Sequence, residues 1–222
     1  DSVLDGDRRR LDEVLQARTG GETWPESIAG EMERHYSPGR TWEALVNALF
    51  GLLSLGEVLD VGCGDGHLAT LLDGRCAHYL GVDVSQKVIE AAERREHGRA
   101  QNASEERSVR FQVGDMHALP LPDRSVDVAL FLHVLGYSPE PALALREAAR
   151  VLRPHGRVVV STLLEHPHAE VTARYGHVNA GLQPAALRRL LKRAGMTPQF
   201  CEITSRERRA PHFQVLTAIA TK

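Results

Sequence analysis

A chain of 222 residues with 42% apolar content is long enough for one large packed domain, with room for a modest appendage. A net charge of -2 provides no overall basic field to draw it to nucleic acid or an anionic membrane, and the clusters Arg8–Arg10 and Arg206, Arg208, Arg209 read as solvated faces. Three cysteines without CxxC spacing speak against a disulfide framework or a structural zinc site. With no signal peptide and no apolar run long enough to span a bilayer, a cytoplasmic location is expected. The first residue is Asp1 rather than Met, as expected of a fragment or a processed form.

Residues 1–53 read as a helical extension. Leu11, Val14 and Leu15 have helical spacing, Ser27 can cap a short helix through Glu33, and residues 40–53 place Trp42, Leu45, Val46, Leu49 and Phe50 on one stripe. Pro25 and the Ser37-Pro38-Gly39 turn separate these helices.

From residue 54 the pattern alternates. Strands are predicted over 57–61, 79–84, 109–114, 126–132 and 157–163, with helices over 67–72, 86–95 and 139–152. Such alternation implies an open parallel sheet covered by helices on both faces. After a helix over 184–194, two strands, 199–205 and 212–220, stand too close for a crossover and must pair antiparallel. The fold class predicted is therefore α/β, a Rossmann-like seven-stranded sheet, mostly parallel with the last strand antiparallel.

The first strand runs into VLDVGCGDGHL, with Gly62, Gly64 and Gly66 at every second place. A strand-to-helix turn of this kind lies at the carboxyl edge of the sheet, where open α/β folds bind ligands, and bare backbone there admits one closely. A tight turn and nothing more would explain glycines alone. It would not explain Asp60, Asp83 and Asp115, which three successive strands deliver to that same edge, because carboxylates are costly to bury without partners. Asp83, 21 positions beyond Gly62 and followed by Val84, suits a ribose.

The glycine spacing departs from the G-x-G-x-x-G of dinucleotide folds, and Asp60 and Asp65 would repel a pyrophosphate. The same acids fit a ligand bearing an ammonium and a sulfonium, which points to S-adenosylmethionine.

In combination, LDVGCGDG, GVDVS, GDMHALPLPDRSVDVALFLHVL and AARVLRPHGRVVV resemble the class I S-adenosylmethionine-dependent methyltransferases over residues 53–222. That resemblance implies a seven-stranded sheet and a cofactor that leaves as S-adenosylhomocysteine. It also implies residue roles: Asp60 orders the glycine loop and contacts the methionine end, and Gly62, Gly64 and Gly66 line it beside Cys63. Asp83 would bind the ribose, Asp115 the adenine amino group, and Met116 would flank the ring, with His117 nearby. Leu132 and His133 would fall where cofactor and acceptor meet.

A narrower resemblance links ETWPESIAGEMERHYSPGRTWEAL and HVNAGLQPAALRRLLKRAGM to methyltransferase-like domains that follow an ArsR-type winged-helix domain. It implies a transcription regulator, a homodimer touching DNA only through a missing N-terminal domain. Two functions stay open: an enzyme methylating a small molecule, or a sensor of the cofactor with little catalysis. His133 is the candidate base or acceptor contact, with packing as its alternative. Tyr36 and Arg40, in the helices ahead of the first strand, can reach a methionine carboxylate. His166, His168 and His177 lack the accompanying ligands of a metal site, and Asp127, at the far end of its strand, is assigned no chemistry.

Overall fold

A computed structural model describes residues 46, 48–100 and 108–222. The chain divides into two units, Asp1–Leu49 and Phe50–Lys222, and the second is described here. The helices predicted before residue 46, with Tyr36 and Arg40, lie outside the described residues.

Seven strands form one sheet: β1 (Leu55–Val61), β2 (Cys76–Asp83), β3 (Val109–Val113), β4 (Val126–Leu132), β5 (Leu152–Leu163), β6 (Thr197–Arg206) and β7 (Gln214–Thr221). Their order is β3-β2-β1-β4-β5-β7-β6. Strands β1 to β5 are parallel, and β7 runs antiparallel to both β5 and β6. The chain steps outward from β1 to β3, returns to place β4 on the other side of β1, and continues outward again. Between β1 and β4 the direction of winding reverses, and loops at their carboxyl ends diverge to leave a crevice.

Alternation along β1 sorts its side chains between two cores. Leu59 and Val61 face one core with Phe131, Val158 and Val160, covered by α3 (Pro141–Val151) and α5 (Pro184–Arg193). Val58 faces the other with Tyr79, Val128 and Leu130, covered by α1 (His67–Leu71). Helix α2 (Gln86–Ala100) packs on β2 and β3, and a short α4 (Ala169–Ala173) precedes α5.

Both long cover helices on the first face start with proline, whose missing N–H has no partner to lose there. Helix α5 turns Leu187 and Leu191 fully inward, carries Lys192 and Arg193 in its last turn, and is followed by Gly195 at φ +83°.

The boundary between α3 and β5 differs from expectation. The helix ends at Val151, and Leu152 already pairs with Val126 as the first residue of β5. Pro154 cannot continue a helix, and the mismatch is absorbed by a register shift between Val126 and Val128. Asp127 lies at this amino end of the sheet, accepting the Glu57 N–H at 2.8 Å and pairing with Arg153 at 2.7 Å. Its role is to tie β1 to β4.

Candidate functional site

At the carboxyl ends of β1, β2 and β4 the crevice opens into a cavity of about 710 Å³, within the range of small-molecule and cofactor sites. Among the predicted residues Gly62, Gly64, Asp83, Val84, Asp115, Met116, His117, Leu132 and His133 line it. Asp60, Cys63 and Gly66 do not. They stand behind the lining, for separate physical reasons.

The glycine turn is held by the next strand. Gly62 and Cys63 both donate to the Val82 carbonyl, at 2.7 and 3.1 Å, and Gly62, Gly64 and Gly66 all have positive φ. Their surroundings differ. A Cβ at Gly62 would lie 2.3 Å from Val134 Cγ2, and one at Gly66 would lie 2.7 Å from the Phe111 ring. Gly66 is thus required by packing where α1 begins. Gly64 has no atom within 4 Å of such a position. There the bare backbone faces open space in the cavity wall.

Asp83 ends β2 with both oxygens anchored: Oδ2 accepts the Gly64 N–H at 3.2 Å and Oδ1 the Ser85 N–H at 3.0 Å. Each oxygen keeps a second lone pair for a donor from the cavity. The carboxylate is therefore oriented before any ligand arrives.

Asp60 corrects the expectation of a direct ligand contact. Its side chain is 3% exposed and accepts the Tyr79 hydroxyl at 2.5 Å. Burial raises its pKa to about 6; the Tyr79 bond opposes the rise and the Asp83 charge adds to it. Burial beside this carboxylate also pushes the Tyr79 hydroxyl up. Asp60 is therefore tied to β2 through Tyr79, behind the lining. Asp65 pairs with Arg95 outside the lining, so it is not held for a ligand cation. Cys63 is buried, its thiol pushed up to about 12 chiefly by desolvation and then by the Asp60 and Asp83 charges. A neutral thiol of this kind is a small packing group, not a nucleophile.

Past β3, Asp115 Oδ1 accepts the His117 backbone N–H at 2.8 Å and meets His117 Nδ1 at 2.6 Å. These bonds hold the Asp115 carboxyl below its usual range. On the opposite wall His133 has φ +58°, donates its N–H to the Ser161 carbonyl at 2.7 Å and places Nε2 3.1 Å from Ser161 Oγ. Desolvation lowers the His133 pKa, so its ring is neutral at pH 7.

Tyr137 and Pro139 also line the cavity and are absent from the sequence reading, as is Val134. Tyr137 ends a 3₁₀ turn, Leu135–Tyr137, that follows β4, with Val134 just before it and Pro139 just after. The Gly136-Tyr137-Ser138-Pro139 run, coming straight off a strand at the ligand edge, is the turn signal that marks them. The three later histidines are engaged in aromatic contacts. His166 and His168 stack at 6.3 Å beside Phe213, and His177 sits 4.7 Å from the Tyr137 ring. Among the described residues no group of three or more His, Cys, Asp or Glu is arranged to hold a metal ion, and no helix is long and apolar enough to cross a membrane.

Comparison with known proteins agrees with this geometry. Residues 59–160, from β1 into β5, match the family model of the methyltransferase domain. The chain is 37% identical over 165 residues to an uncharacterised 37.1 kDa protein of transposon TN4556 from Streptomyces fradiae, covering 67% of this chain and 46% of that protein. It is 35% identical to 27-O-demethylrifamycin SV methyltransferase of Amycolatopsis mediterranei, over 55% of this chain and 45% of that enzyme. The chain thus spans about half the length of these curated relatives. Among solved structures, geranyl diphosphate methyltransferase in complex with S-adenosylmethionine superposes with a TM-score of 0.64 at 18% identity, covering 80% of this chain and 82% of that one. The sheet order, the glycine turn and the solved structures converge on the class I methyltransferase fold, within which residues 59–160 match the methyltransferase-domain model.

Proposed function

We propose that this protein is an S-adenosylmethionine-dependent methyltransferase acting on a small molecule. The observation that carries the reading is the cavity at the winding reversal, where a preoriented carboxylate (Asp83) and an open glycine backbone (Gly64) face the same space. The residues suit the cofactor. Asp83 offers acceptors for two ribose hydroxyls, Asp115 an acceptor for the adenine amine, and Gly64 room for the methionine part. The Asp60 carboxylate, behind the lining, adds negative potential on the side where an ammonium would lie.

S-adenosylmethionine supplies a methyl group already activated by its sulfonium. The chain's task is then to align a nucleophile, exclude water and take up a proton. Leu132, Val134, Met116 and Pro139 give the cavity apolar lining, while His133 and Tyr137 offer polar atoms within it. A neutral His133 is in the protonation state that accepts a proton from an acceptor hydroxyl. The likeness to an O-methyltransferase of a small natural product supports an oxygen nucleophile.

Incubation with cofactor carrying a labelled methyl group, against a panel of hydroxylated small molecules, tests this. Label in an acceptor, abolished in Asp83→Ala, is the expected result. Tight binding of S-adenosylhomocysteine with no labelled product from any acceptor would overturn the enzyme reading in favour of a cofactor sensor.

A further inference from the structure

His117 joins two loops around the cavity. Its Nδ1 meets Asp115 Oδ1 at 2.6 Å, and its Nε2 meets Ser138 Oγ at 2.7 Å. Asp115 is 58% exposed, while Ser138 is 0% exposed. The imidazole therefore bridges a solvent-reachable carboxylate to a hydroxyl locked in the protein. A neutral imidazole has one donor and one acceptor. A carboxylate only accepts, so Nδ1 carries a hydrogen, and in the neutral ring Nε2 receives the Ser138 O–H.

Ser138 is itself fixed. Its backbone N–H donates to the Leu135 carbonyl at 3.1 Å, and the Asn179 side-chain amide donates to the Ser138 and Leu135 carbonyls at 2.9 and 2.8 Å. Asn179 lies between β5 and α5, so the bracket spans three connections of the fold. At its other end, the His117 backbone N–H and Nδ1 both bind the same oxygen, Oδ1 of Asp115. Among the described residues no hydrogen bond reaches Oδ2.

We propose that His117, its ring anchored at Nε2 by Ser138, is a positioning residue that fixes Asp115 with Oδ2 free, making the site select a ligand ring bearing an amine over one bearing a carbonyl. An acceptor-only atom placed there rewards an N–H donor and repels a ring oxygen. The inference rests on the cofactor reading above and extends it to discrimination between adenosyl and inosyl ligands.

Calorimetric titration with S-adenosylhomocysteine and its inosyl analogue tests it in three proteins. The wild type is expected to favour the adenosyl form by at least about tenfold, the scale of one charge-assisted hydrogen bond. His117→Gln keeps a polar atom toward Ser138 but removes the side-chain donor to Asp115, leaving the backbone N–H alone, and is expected to lose most of that preference. His117→Asn places an amide N–H where Nδ1 stood and is expected to restore it. A residue that merely supports the loop would weaken both ligands together and leave their ratio unmoved in both variants; that result overturns the proposal. Binding of neither ligand by the wild type would overturn the cofactor reading, and this inference with it.

Discussion

Asp60 and Tyr79 form a buried pair whose energetics depend on pH. The Asp60 pKa stands near 6 against an ordinary 3.8, chiefly through burial. A folded state that binds a proton more tightly than the unfolded chain is stabilised when that proton is present. The Asp60 contribution is thus complete below about pH 4 and is lost as pH rises through 6. By pH 7 the difference is on the order of 3 kcal/mol. Asp60→Asn cannot ionise, so its melting temperature should gain on the wild type steadily from pH 4 to pH 7. Parallel curves for the two proteins would show that the carboxyl titrates normally. Asp83 works differently, since its carboxylate is already bonded to two backbone N–H groups. It is the acid that lines the cavity, whereas Asp60 is buried against Tyr79.

At the scale of the element, the glycine turn separates two uses of one residue type. Gly62→Ala forces a Cβ to 2.3 Å from Val134 at φ +70°. A cost of about 2–4 kcal/mol is expected, the usual range for overpacking combined with left-handed strain. Gly64→Ala meets nothing, so thermal unfolding should register only the strain, about 1–2 kcal/mol. Its methyl would instead enter the cavity wall and weaken cofactor binding. Equal stability losses in the two variants would contradict this division.

These differences also mark what a linear reading can reach. All seven strands and the antiparallel pairing of the tail were legible, because short apolar runs and close spacing admit few topologies. Asp83 and Asp115 were legible as strand-end acids on a common edge. The burial of Asp60 was not, because it depends on Tyr79 arriving from the neighbouring strand 19 positions away. The pairing of Asp65 with Arg95 is equally non-local, and Tyr137 was missed because a single 3₁₀ turn has no hydrophobic period. Leu152 was assigned to a helix because apolar spacing continued through it, although Pro154 already announced the break.

For the molecule as a whole, most of the core lies apart from the site, with Val61, Val82 and Val134 shared between them. The core between the sheet and helices α3 and α5 is sealed by fully buried side chains such as Leu145 and Leu187, neither of which lines the cavity. Leu187→Ala should cost about 2–5 kcal/mol in denaturant unfolding, as large-to-small core changes do, while ligand affinity at 25 °C is retained. Loss of affinity in step with stability would mean that the site is not preformed by the sheet edge. The winding reversal supplies the crevice, and the strand ends supply its chemistry. Neither depends on a strong overall charge, in keeping with a net of -2 and a small-molecule ligand.

Calorimetric titration of S-adenosylhomocysteine into the wild type and Asp83→Ala is the most direct measurement of whether this cavity holds an adenosyl cofactor. The account predicts one molecule bound per chain by the wild type and an affinity at least about thirtyfold lower in the variant, as expected when charge-assisted hydrogen bonds are removed. Equal affinity in the two proteins would contradict it.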